Sequence, residues 1–398
     1  MTSTLVVSVE PPWPSVHGGR LRTARLAEAL RDAGHRVTVA APGLGEVWSA
    51  PPGIATVELS TRPAGSPAIV RGALSLRPKV GVVHLGRCTD AIAALATEAE
   101  VVVWAQPYVA AVAGPAPGCV EVIDVQNVEA ARAASMAATG SVARRLLRHL
   151  EAVKAARWEP TVWRRAAVCL ALNDRDAAVV AAAGAHVVLA PNGIDVHPVV
   201  TSPSAAVVGL VASYTYGPNV DAARWFVGHV WPAVRAVRPD AVLVVAGRGA
   251  DRAVGELAGE GIEVIADFDD ARALYARTAV VVAPVRTGGG SQLKVTEALS
   301  HHRVVVASPY SAEAAPATAR DVGAVVVADT VGQWVDALVR LLVEVDDRRR
   351  IEAALGEPGV MPTWDRTLRD AVEAIDAAVA GHDHRRAGGP VRRRRRLR

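Results

Sequence analysis

Short runs of valine, isoleucine, leucine and alanine recur along the chain, separated by segments with helical spacing. In the first half they are LVVSV (5–9), VTVAA (37–41), VGVVHL, AEVVVWA, VEVIDV (120–125), AVCLAL (167–172) and the start of HVVLAPNGID. The pattern restarts near Ser202 with AAVVGLVAS and continues through AVLVVAG (241–247), IEVIAD, TAVVVAP, RVVVAS and GAVVVAD. Runs that are apolar at every position suit strands of a parallel sheet covered on both faces.

The intervening segments read as helices. RLRTARLAEALRDAG places Leu26 and Leu30 one turn apart, and Gly34 stops it. A strand–helix–strand unit of this length implies a right-handed parallel crossover. A longer helical region is expected over residues 130–165. The pattern therefore predicts an α/β protein of two doubly wound, Rossmann-like domains, residues 1–195 and 196–362. A helix over 363–381 and a disordered tail over 382–398 follow, because GHDHRRAGGPVRRRRRLR has no apolar face.

Composition adds three points. At 398 residues, 51% apolar and 21% charged, the chain is globular and large enough for two cores. Cys88, Cys119 and Cys169 have neither disulfide-scaffold nor metal-ligand spacing and read as buried small hydrophobes. No basic leader and no long uncharged apolar window stands out, so a cytoplasmic protein is expected. The net charge of +4 is concentrated at the end: eight arginines lie in the last 14 residues, and the remainder carries 36 basic against 40 acidic residues.

Two glycine clusters sit between an expected strand and an expected helix, at the carboxyl ends where parallel sheets bind ligands. They are Gly18-Gly19 and Gly288-Gly289-Gly290. Helix N-termini attract anions, and glycine lets the backbone approach them. Arg286 and Lys294 flank the second cluster and suit a phosphate. Glu297 would repel a phosphate, so its sensible partner is a pair of ribose hydroxyls. Three glycines can also simply make a tight turn.

Several segments together resemble the GT-B-fold glycosyltransferases of family 4, in the subgroup with a GGG loop. They are HGGR (17–20), IDVQNVEA (123–130), PNGID (191–195), YGPNVDAARWF (216–226), VVAGRG (244–249), DFDDARALY (267–275) and PVRTGGGSQLKVTEALS (284–300). The resemblance implies a retaining, metal-independent transferase with a cleft between its domains. The second domain would hold a UDP- or GDP-linked sugar, a co-substrate rather than a cofactor. The first would face an acceptor hydroxyl on a glycan, glycolipid or small molecule, and the helix over 363–381 would cross back to the first domain. The donor-side set is then Gly18, Gly19, Gly288, Gly289, Gly290, Ser291, Gln292, Glu297 and Phe268, the last beside the base. Arg286 and Lys294 would stabilise the leaving phosphate. Asp124, Glu129 and His17 would face the acceptor, with Asn127 added as a catalytic candidate. No metal ligands are expected.

Three departures from that pattern stand out. The first glutamate of the family's E-x7-E motif falls at Gly289, the usual Arg/Lys pair reads GLVASYTYGPN, and a position that often carries histidine is Gln126. Two alternatives follow: a catalytically weak nucleotide-sugar-binding protein, or a nucleotide-sugar epimerase of the same architecture. For the tail, a solvated segment is the first reading. Peripheral contact with anionic membrane at its inner face stays open, and nucleic acid is set aside.

Overall fold

The computed structural model describes residues 1–15, 18–43, 48–59, 85, 88–137, 142–195, 197, 200–266, 268, 271–287 and 292–387. The chain divides into two compact units, Met1–Asn192 with Asp365–Arg398, and Gly193–Trp364.

In the first unit the strands are β1 (Ser3–Val7), β2 (Arg36–Pro42), β3 (Ile54–Leu59), β4 (Val101–Trp104), β5 (Val120–Val125), β6 (Val168–Ala171) and β7 (Val187–Leu189). They pair in the order β3-β2-β1-β4-β5-β6-β7, every neighbour parallel. The second unit holds β8 (Val207–Val211), β9 (Val242–Ala246), β10 (Ile262–Ile265), β11 (Val280–Ala283), β12 (Val305–Ala307) and β13 (Val325–Val327), in the order β10-β9-β8-β11-β12-β13.

The valine runs are explained by where successive residues point. On β8, β9, β11 and β12, Val208, Leu243, Val280 and Val306 enter one core. Their neighbours Val244, Val281 and Val305 enter another on the opposite face. Both faces are covered, so both residue parities must be apolar. β3 is an edge strand with three exposed residues, which is why IATVEL lacks an apolar run. The VGVVHL segment lies outside the described residues apart from Leu85, which is buried in the first core.

The helices that matter below are α1 (Gly18–Asp32), α2 (Glu129–Ala137), α3 (Val142–Arg165), α4 (Gly217–Trp225), α5 (Leu293–Ser300), α6 (Val331–Val343) and α7 (Trp364–Ala387). The single helical region expected over 130–165 is therefore two helices. α7 belongs to the first unit from Asp365 onward, where His35 Nε2 meets Asp376 Oδ1 at 3.0 Å. The helix also runs six residues past Gly381, where the sequence suggested disorder would begin. Gly381 is not among the residues with positive φ, so it does not act as a stop, and the polar residues after it extend the helix.

Near the junction, Ile194 N–H donates to the Pro362 carbonyl at 2.9 Å, and Ile194 bridges Thr363 in parallel. A Cβ on Gly193 would lie 2.3 Å from the Trp364 backbone nitrogen, so only glycine fits there. No described helix is long and apolar enough to cross a membrane.

Candidate functional site

In the second unit the site is built around α5. Gln292 immediately precedes it at φ 45°, a left-handed conformation that is uncommon for a residue with a side chain. Such strain costs on the order of 1 kcal/mol and persists where surrounding contacts fix it. Here the contacts are two: Gln292 Oε1 accepts from Lys294 Nζ at 3.0 Å and from Ser311 Oγ at 3.4 Å. Ser311 itself is held by the Val285 carbonyl (3.2 Å) and by Ser308 Oγ (3.1 Å).

Lys294 Nζ also donates to Asn219 Oδ1 at 2.7 Å, and Asn219 Nδ2 donates to the Ser213 carbonyl at 2.7 Å. Asn219 lies in the first turn of α4, so the loop after β8 and the start of α5 are tied together through one amide. Both acceptors of the ammonium are neutral. Among the described residues no carboxylate forms an ion pair with Lys294, and burial pushes its pKa from 10.5 down to about 7. Lys294 further stands in the first turn of α5, where the helix dipole disfavours a cation. Burial and the helix dipole thus both oppose a positive charge on this amine.

One turn on, Glu297 shares that helix face. Burial raises its pKa, and no ion pair joins it to Lys294. The Tyr275 hydroxyl is buried with no hydrogen-bond partner among the described residues, and its pKa is raised well above 10.0 by burial and then by the Glu297 charge. The Tyr275 ring stacks on His301 at 4.4 Å, and His301 stacks on His197 at 4.2 Å. Burial, followed by the charge of its neighbours, lowers the His301 pKa to about 4, so this ring is neutral at ordinary pH.

Arg286 is exposed, with its guanidinium 4.5 Å from the centroid of the Trp225 ring. That is a cation–π contact, and it does not join Arg286 to the partners of Lys294. Phe268 is half-buried and packs on the core that contains Tyr275. Gly247, at φ 140°, ends the strand of VVAGRG: a Cβ there would lie 1.8 Å from the Ala212 carbonyl oxygen, so glycine alone lets the two strand ends meet. Gly288, Gly289, Gly290, Ser291 and His17 lie outside the described residues.

In the first unit, Gly18 and Gly19 form the first turn of α1 instead of a loop ahead of it. As residues of the helix itself, they contribute small size there. Asp124 is fully buried, and both of its oxygens accept from Arg22 Nε, at 2.8 and 2.9 Å. Arg22 Nη1 reaches Asn192 Oδ1 at 3.2 Å, and Gln126 Nε2 donates to Asp124 Oδ2 at 3.1 Å and to the Ala105 carbonyl at 2.9 Å. Asp124, expected on the acceptor side, is half of an interior ion pair with Arg22.

Glu129 Oε2 accepts from Arg132 Nε at 2.9 Å. Its backbone N–H and that of Ala130 donate to Glu159 at 2.6 and 3.0 Å, so Glu159 caps α2 from another helix. Burial pushes the Glu159 carboxyl up to about 8, against the pull of those two donors. Asn127 is half-buried just before α2.

The sequence singled out Gln292, Lys294 and Glu297, which lie on α5 or immediately before it, but missed Asn219, Ser311 and the Tyr275–His301–His197 stack. The signal for Asn219 was present in YGPNVDAARWF, where a proline and an amide open a helix.

Comparisons with known proteins agree with this picture. Residues 205–344 match the family profile of glycosyl transferases group 1. Among solved structures, sucrose-phosphate synthase from Thermosynechococcus elongatus aligns with TM-score 0.63 at 16% identity, over 97% of this chain and 99% of that one. WaaG, a glycosyltransferase of lipopolysaccharide biosynthesis, gives 0.64 at 13% identity, over 94% and 99%. HepE from Anabaena in complex with UDP gives 0.61 at 14% identity, over 95% and 100%. No curated protein sequence matches the chain. The fold is that of the GT-B glycosyltransferase structures, and the group 1 match over the second unit supports glycosyl transfer.

Proposed function

We propose that the chain is a retaining, metal-independent glycosyltransferase of the family 4 type that moves a sugar from a UDP- or GDP-linked donor to an acceptor hydroxyl. One observation carries this reading: α5 presents a half-buried amine, held by two neutral amide oxygens, and a half-buried carboxyl on one face, with no ion pair for either among the described residues. A diphosphate next to Lys294 and a ribose diol next to Glu297 supply the two missing partners. HepE from Anabaena has been solved with UDP and with UDP-glucose, which favours that ligand class.

In this mechanism the bond from the anomeric carbon to the diphosphate breaks while negative charge grows on the leaving oxygen. Lys294 and the backbone around Gly288–Gly290 and Ser291 stabilise it, an electrostatic contribution that needs no reorganisation at the moment of reaction. The departing phosphate oxygen takes the acceptor's proton as the new bond forms on the same face. Gln126 is an amide and cannot be the base, and Asp124 is already committed to Arg22. Arg286 joins the phosphate by leaving the Trp225 ring. Phe268 contacts the base through its backbone, and Asn127 and Glu129 remain the acceptor-side candidates.

The test is thermal unfolding with UDP, GDP and ADP, followed by donor turnover. A nucleotide that binds only the folded state raises the midpoint. Release of nucleoside diphosphate together with sugar transferred or hydrolysed supports the proposal. Free nucleotide with an isomerised sugar indicates an epimerase. Nucleotide binding without turnover indicates a binding protein.

A further inference from the structure

The strand order of the second sheet reverses between β8 and β11: the chain leaves β8 toward β9 on one side, and β11 toward β12 on the other. Ligands of open parallel sheets sit at such a reversal, beyond the carboxyl ends of the strands. The segments that leave these two strands are joined there by Asn219 Oδ1, which accepts from Lys294 Nζ at 2.7 Å. Residues 212–218, between β8 and Asn219, include no lysine or arginine. This segment brings an amide to the reversal instead of a charge.

The orientation of that amide is fixed from both ends. Asn219 Nδ2 donates to the Ser213 carbonyl at 2.7 Å, and a carbonyl only accepts. Oδ1 is therefore turned to Lys294, whose ammonium only donates. The loop beneath is braced as well. Asn219 is buried and its N–H donates to the Tyr216 carbonyl at 3.0 Å. The Tyr214 N–H donates to the Arg248 carbonyl and its hydroxyl to the Leu210 carbonyl, both at 2.9 Å. A protonated Lys294 has three N–H donors. Asn219 and Gln292 take two, and the third has no hydrogen-bond partner among the described residues.

We infer that Asn219 is a positioning residue for Lys294: its neutral amide aims the ammonium without cancelling its charge, and so leaves the third N–H for a diphosphate. A carboxylate in its place would close an ion pair and weaken the pull on an anion. An apolar residue would free the flexible four-carbon stem of the lysine to other rotamers. The inference rests on the proposed reading of this site as the donor site. It goes further in giving the uncharged segment after β8 a task in holding the donor.

The experiment is calorimetric titration of the full chain with UDP and GDP, arranged as a double-mutant cycle. Asn219→Ser keeps a polar residue in the first turn of α4 but is too short to reach Nζ. It should weaken binding of the preferred nucleotide about tenfold, the loss expected when a hydrogen bond to a charged group is removed. In a Lys294→Met background the same substitution should change affinity by less than about twofold, because the group it aims is gone. Asn219→Asp keeps the contact but adds a counter-charge, and should weaken binding at least as much. An equal loss with and without Lys294 shows a merely structural role and overturns the inference. Unchanged affinity in Asn219→Ser, or unchanged or tighter binding in Asn219→Asp, overturns it too and leaves the donor site standing. If the unaltered chain binds neither nucleotide, the donor-site reading falls and takes the inference with it.

Discussion

The polar groups at the two sheets are organised in opposite ways. Among the described residues of the first unit, Asp124 is matched with Arg22, Glu10 with Arg20 and Glu129 with Arg132, and Glu159 is held by two backbone N–H groups. In the second, Lys294 has two amide oxygens for company and Glu297 has no ion pair among the described residues. A buried ion pair is close to neutral in stability, but either half alone is costly. Matched charges therefore act as scaffold, and unmatched ones are held in readiness for something that arrives later. Under the proposed function, that difference is the argument for a donor site in the second unit.

The contrast breaks most sharply if the first unit's pair is cut. Asp124→Asn leaves Arg22 buried without a counter-charge and should cost about 3–5 kcal/mol, read as a lower denaturant midpoint. If stability holds while turnover alone falls, Asp124 belongs to the chemistry and the comparison fails.

Lys294→Met removes an unmatched charge and should do the reverse. Stability stays level or rises slightly, while turnover falls on the order of 10²-fold, as when one preorganised oxyanion donor is lost. Glu297→Gln should weaken nucleotide-sugar binding about tenfold, equivalent to about 1.4 kcal/mol. Its folded-state pKa is raised, so the charge costs stability at neutral pH and that cost fades as pH falls. Glutamine should accordingly do no harm to the unfolding midpoint.

The smallest effect is in pH. With a folded value near 7 against 10.5 unfolded, Lys294 lowers stability below pH 7, and that loss is recovered as pH rises toward 10.5. An anion at the site favours the protonated amine. UDP binding near neutrality should take up a proton, and affinity should weaken as pH rises above about 7. Calorimetry in two buffers of different ionisation heat measures the uptake, and Lys294→Met should abolish it.

Much of this architecture was legible in the sequence because a doubly covered parallel sheet leaves continuous valine runs. The edge strand β3 was hidden because half its residues face water. On α5, Lys294 and Glu297 were readable as neighbours because helical spacing of three puts them on one face, whereas Gln292 reaches Lys294 through its left-handed backbone just before the helix. Asn219 was not readable, since it lies 75 residues from Lys294 and only folding brings its amide to the ammonium. The same holds for the contact of Asp124 with Arg22, 102 residues away, which only folding brings together.

The pairing of Ile194 with Thr363 means that the second unit begins and ends at one spot. It is a continuous stretch of chain, whereas the first unit is interrupted and needs α7 to finish it. On the ribosome the second unit has its whole sequence available while the first still awaits its last helix. A chain stopped just after Trp364 would therefore carry a second unit with every strand in hand beside a first unit with His35 still lacking Asp376.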